Sequence, residues 1–169
     1  MKSQPDPSIL NTNRILGDDV RDSLRKIAER ISADEASFWM KVPDRESLVM
    51  VLNGNPRSQD MEIEAEQSLS DGLISLVFKR GDPFMDPHSI PTRTHSNKID
   101  IEFEQSTHYM AIVPVTVQGQ RVGVVSAVQF ARVGDRLRKA SEWGFAKDAL
   151  EQLAELSSEI ALKIDTLPS

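Results

Sequence analysis

The chain has 169 residues, 39% of them hydrophobic, which is enough for one domain with a substantial core. A formal net charge of −6 and a pI near 5.1 disfavour nucleic acid or an anionic membrane as the main partner. Cysteine is absent, which excludes disulfides, thiolate metal sites and a cysteine nucleophile, and fits a reducing compartment.

Residues 1–15, with Pro5 and Pro7 among Ser, Asn and Thr, read as a flexible lead-in without the apolar core of a signal peptide. No apolar run is long enough to span a bilayer, so the expectation is a soluble, cytoplasmic protein. A helix is expected from Asp18 or Asp19, with Val20, Leu24, Ile27, Ala28 and Ile31 as its apolar stripe. Ala36 to Val42 and Ser47 to Leu52 read as a hairpin around the turn 43–46.

Residues 61–66 alternate Met61, Ile63 and Ala65 with Glu62, Glu64 and Glu66, which predicts a third strand. Same-face neighbours on a strand stand about 6.5–7 Å apart, so the glutamates read as a solvated edge face rather than a metal site. Ser70 and Asp71 open a short helix burying Leu73, Ile74, Val77 and Phe78, with Gly81 past its end. Residues 83–87 read as a short buried strand. Residues 88–98 are too polar for core and form a loop of the kind that often carries function. Residues 99–104 alternate again, as a strand or extended flap.

Residues 108–130 form the centre of the chain: two β-branched runs around a polar turn in which Gly119 supplies a positive φ. Both runs are nearly continuous in apolar residues, so they are expected to be covered on both faces, with Val113, Val115, Val124 and Val128 in the core. Pro114 lacks an N–H and predicts a bulge or an unpaired position there, and Gly123 predicts close approach of another backbone or a ligand. Residues 131–144 read as an irregular connector with a basic patch, Arg132, Arg136, Arg138 and Lys139. A long helix from about Phe145 carries Ala146, Ala149, Leu150, Leu153, Leu156, Ile160, Ala161 and Ile164. That stripe is wide enough for the sheet and for a helix of a second subunit.

This order of elements resembles a GAF domain. The resemblance is carried by GLISLVFKRGDPFMD over 72–86, YMAIVPV over 109–115, VGVVSAV over 122–128 and LAELSSEIA over 153–161. It covers residues 16–165, leaving 166–169 as a tail. The resemblance implies an α+β fold with a six-stranded antiparallel sheet. The terminal helices would pack on one face, and the short helix and variable loop would roof a pocket on the other. It places Trp39, Phe84 and Met110 as apolar walls, with Asp86, Ser89, Arg93, His95 and His108 as polar ligand-binding groups.

Family functions transfer only where residues match. Cyclic-nucleotide-binding members carry an Asn-Lys…Phe…Asp-Glu pattern after the last strand, of which only Phe145 and Asp148 are present, with altered spacing. Members that reduce methionine sulfoxide or attach a bilin work through cysteines this chain lacks. His88, His95 and His108 with Asp86 have a metal-ligand donor set, but spacings of 7 and 13 residues match no local signature, so no metal is expected. Asp44 and Asp86 read as turn and strand-end residues, and no catalytic constellation stands out.

The expectation is a non-enzymatic regulatory sensor that binds a small molecule without a resident cofactor and signals through its terminal helices. It would be a homodimer through those helices and act on a signalling protein. The alternative is a ligand-free dimerisation or docking module.

Overall fold

The computed structural model describes residues 4–86, 105–132 and 143–167. Helix α1 spans Pro7–Ile31 and is followed by β1 (Glu35–Lys41) and β2 (Ser47–Asn53). A turn of 3-10 helix (Pro56–Met61), β3 (Glu66–Ser68), α2 (Leu73–Arg80) and β4 (Phe84–Met85) come next. The long hairpin β5 (Gln105–Val117) and β6 (Gln120–Arg132) leads to the last helix, α3 (Ala149–Asp165). The strands form one six-stranded antiparallel sheet in the order β3-β2-β1-β6-β5-β4. This is the expected α+β architecture.

The hairpin turns on Gln118 (φ 50°) and Gly119 (φ 77°), the pair of positive φ values that a two-residue loop needs to follow the strand twist. At Gly123, β1 and β6 approach so closely that a Cβ would overlap the Trp39 carbonyl. The bulge expected at Pro114 falls one residue later, between Val115 and Thr116. The Pro114 carbonyl instead accepts from Ser157 Oγ on α3 at 2.6 Å. Val113, Val115 and Val124 are fully buried, whereas Val128 is half-buried.

Period-2 alternation splits the core into two layers. On one face, Ala36, Phe38, Ala111, Val113, Val115, Val125 and Ala127 pack under Val20, Leu24, Ile27 and Ile31 of α1 and Leu153, Leu156 and Ile160 of α3. The helical stripes therefore lie side by side, as their spacing predicts, and are consumed by the protein's own sheet. On the other face, Trp39, Leu48, Met50, Met110, Ile112 and Val124 meet Leu73, Ile74 and Val77 of α2.

Two expectations about boundaries are corrected. The N-terminal lead-in is helical from Pro7, because Asp6 caps it by accepting from Ser8 N at 2.8 Å and Pro7 suits the first turn. Ile9 and Leu16 then bury against the core. Only Gly17 (φ 18°, ψ −118°) breaks helical geometry, one residue before the expected start.

The glutamate-bearing strand 61–66 is instead the end of the 3-10 helix and a turn, with strand only from Glu66. Glu62 is not on a solvated face: its side chain is 8% exposed. It accepts from Arg21 Nε at 2.8 Å, Arg21 Nη2 at 2.7 Å and Asn53 N at 2.8 Å. That hydrogen bonding to Glu62 raises the Arg21 pKa above its ordinary value. Alternation misleads here because a buried ion pair has the same pattern as an exposed edge. Helix α2 opens at Gly72 rather than at Ser70 or Asp71 and ends, as expected, at Gly81 (φ 81°).

Candidate functional site

The face of the sheet under α2 holds three of the residues expected to bind a ligand, Trp39, Phe84 and Met110. Trp39 of β1 is 5% exposed and donates its indole N–H to Ser37 Oγ at 2.9 Å. Phe84 and Met110 pack in the same cluster, and register brings them together because Phe84 pairs with Ile112. Asp86, just past β4, is buried. Its backbone N–H donates to the Met110 carbonyl and its carboxylate accepts from Met110 N, both at 3.0 Å. The carboxylate thus extends the β4–β5 ladder by one bond after the strand has ended.

His108 lies apart from this group. It is exposed, and its ring packs on Trp143 with centroids 4.6 Å apart, while Tyr109 flanks the same indole at 5.6 Å. Ser89, Arg93 and His95, with the basic patch and the strand expected at 99–104, lie outside the described residues apart from the Arg132 backbone. Among the described residues, no group of three or more His, Asp or Glu side chains is arranged to hold a metal ion.

Several polar residues on or beside this face carry no motif. Ser37 of β1 sits directly opposite Ser126 of β6, in the row of Trp39 and Val124. Glu35, two residues before Ser37 and thus on the same face, is buried and accepts from Asn53 Nδ2 at 3.1 Å and from Ser58 Oγ at 2.5 Å. A polar residue breaking an apolar run, as Ser126 does in VGVVSAVQF, is the sequence signal that marks them.

Gln129 is 0% exposed and ties three elements together. It donates to the Ser32 carbonyl at 2.6 Å and to the Gly144 carbonyl at 3.0 Å, and accepts from Gly144 N at 2.7 Å. Ala146 N donates to the Ile31 carbonyl at 3.1 Å, so the end of α1, β6 and the entry to α3 meet beside Trp143.

Comparison with known proteins agrees with this fold. A GAF domain family model matches residues 18–164. The fold is similar to the GAF domain of a phosphoenolpyruvate-protein phosphotransferase from Coxiella burnetii, at 18% identity and TM-score 0.65, covering 92% of each chain. A type II free methionine-R-sulfoxide reductase from Thermoplasma acidophilum is similar at 19% identity and TM-score 0.62, with 89% of this chain and 93% of that one covered. The GAF domain of the Acinetobacter phosphotransferase matches at 17% identity and TM-score 0.62, over 94% of each chain. No curated protein matches. GAF domains are typically non-catalytic regulatory modules, in line with the expected non-enzymatic role. A family match spanning nearly the whole chain, on the expected six-stranded antiparallel sheet, shows that this chain belongs to the GAF domain family.

Proposed function

We propose that the chain is a regulatory sensor that binds a small molecule on the sheet face between α2 and the β4–β5 edge. The observation that carries this reading is the set of buried polar groups, Glu35, Ser37, Asp86 and Ser126, on and beside an otherwise apolar face. Apolar walls with a few placed polar groups are the usual composition of a small-molecule site. Trp39, Phe84, Asp86 and Met110 would border the ligand, with Ser89, Arg93 and His95 contributed by the loop. The clasp of Gln129 on Gly144 gives a physical route from β6 to the start of α3.

The experiment is a thermal-shift screen of nucleotides, amino acids, oxo-acids and nitrate. A binder raises stability by RT ln(1 + [L]/Kd), about 2.7 kcal/mol at one hundred times Kd. A hit that Arg93→Ala weakens by roughly 1–3 kcal/mol supports the loop's role. No stabilisation by any compound would count against the sensor reading.

A homodimer through α1 and α3 belongs to the same proposal, formed by their outer faces because the apolar stripes are already buried. Sedimentation as a single 18.9 kDa species at tens of micromolar would exclude it. The competing reading, a docking module without ligand, is favoured by one observation. Leu162 is 68% exposed beside a groove of about 530 Å³ between β5 and α3, lined by Val113, Val117, Ala154 and Ala161.

A further inference from the structure

We propose that the serine pair Ser37–Ser126 is the polar floor of the site and holds the acceptor oxygen of a ligand carbonyl or carboxylate. The inference rests on the reading that this sheet face binds a small molecule, and names which atoms of that molecule the floor would recognise.

Ser37 and Ser126 face each other across β1 and β6, the two central strands. Directly opposed residues of an antiparallel pair have Cβ atoms about 4.5–5.5 Å apart, so the two hydroxyls reach one small group together. Both serines are nine-tenths or more buried: Ser37 is 5% exposed and Ser126 2%. Ser126 makes no side-chain hydrogen bond among the described residues. The Ser37 oxygen accepts the Trp39 indole N–H, which uses a lone pair and leaves the hydroxyl proton to donate.

The surroundings decide what the pair would bind. Glu35, two residues before Ser37 on that face, is engaged by Asn53 and Ser58. Asp86 lies across β5 from this row and is held by Met110 N. Neither needs the serine protons for these contacts. Two donatable protons converging beside apolar Trp39 and Val124 match an oxygen with two lone pairs. A ligand that offered only donors would instead have to use the serine lone pairs, one of which on Ser37 the Trp39 indole already occupies.

The test uses the Trp39 indole N–H as a local reporter, since it bonds to Ser37 and the chain has only two tryptophans. Its proton–nitrogen NMR signal is assigned with Trp143→Phe and followed during titration with acetamide, acetate or methylammonium. The expected result is a saturable shift with acetamide or acetate, at least tenfold weaker binding of methylammonium, and at least tenfold weaker acceptor binding in Ser126→Ala. Ser126→Cys, of similar size and a weak donor, should behave like the alanine variant if Ser126→Ala fails to fold.

No saturable shift with either acceptor, or equal binding by wild type and a folded variant, would overturn the role of the pair. The thermal-shift screen keeps this separate from the broader reading. A compound that stabilises wild type and Ser126→Ala equally leaves the sensor in place and removes the serines from it.

Discussion

Replacing Gln129 by methionine keeps the length of the side chain and removes its polar end. Gln129 makes three hydrogen bonds, at 2.6, 2.7 and 3.0 Å, all to backbone groups. Each net bond contributes about 0.5–1.5 kcal/mol, so their loss amounts to roughly 1.5–4.5 kcal/mol. Methionine in the same buried position recovers about 1–2 kcal/mol of that as an apolar side chain. The expected net destabilisation is about 2 kcal/mol, measured by urea unfolding of both proteins. Gln118→Met is the control. It removes one exposed bond, to Asp165 at 2.6 Å, and should change stability by less than about 0.5 kcal/mol. If Gln129→Met costs no more than this control, the clasp is not holding α3 to the sheet and the proposed route to that helix loses its basis.

Val124 is fully buried under α2, so Val124→Ala should cost about 1–3 kcal/mol in the same assay, from transfer and cavity terms together. Gly123→Ala should be worse than Val124→Ala, because the added carbon meets backbone that cannot move aside. Equal stability of the glycine and alanine forms would mean β1 and β6 are not in this register. Asp6→Ala should cost about 1 kcal/mol through the lost helix cap. The Asp6 pKa is lowered from 3.8, chiefly by the hydrogen bond from Ser8, so its contribution is present above that value and lost as pH falls through the lower folded pKa. The difference between wild type and Asp6→Ala should therefore vanish in acid, and a constant difference down to pH 2 would contradict the assignment.

How much of this was legible in the sequence depended on whether a signal was local. The central hairpin, its Gly119 turn and the close approach at Gly123 each follow from neighbouring residues, and periodicity alone placed Leu24, Ile27, Leu153 and Ile160 on one layer. The start of α1 is hidden in the sequence because Pro5, Pro7 and polar neighbours have a tail's composition, while the cap that starts the helix is the bond from Ser8 N to Asp6. The alternation at 61–66 does not give a strand because the partner that buries Glu62, Arg21, lies 41 residues away and leaves no local signal. Trp39, Phe84 and Met110 share one cluster and Asp86 bonds to Met110, but His108 packs on Trp143, a contact between residues with no shared pattern. Ser126 stands out in the sequence as a polar break in VGVVSAVQF, but its pairing with Ser37 follows only from the register.

The break at Gly17 has a consequence for how the molecule opens. Glu62 Oε1 accepts from Asn13 Nδ2 at 3.2 Å, before the break, and from Arg21 Nη2 at 2.7 Å, after it. One carboxylate therefore spans a joint between two levers. The first lever, residues 7–16, is also tied to β2 by Asn13 Nδ2 donating to the Val51 carbonyl at 2.7 Å, whereas the second carries the main core stripe. The two should behave as separate cooperative units in native-state hydrogen exchange. Amides of 10–16 would exchange by swinging out alone, and those of 24–31 only when the whole core comes apart. Glu62→Ala should widen that gap, turning one helix into a fixed rod and a loose arm.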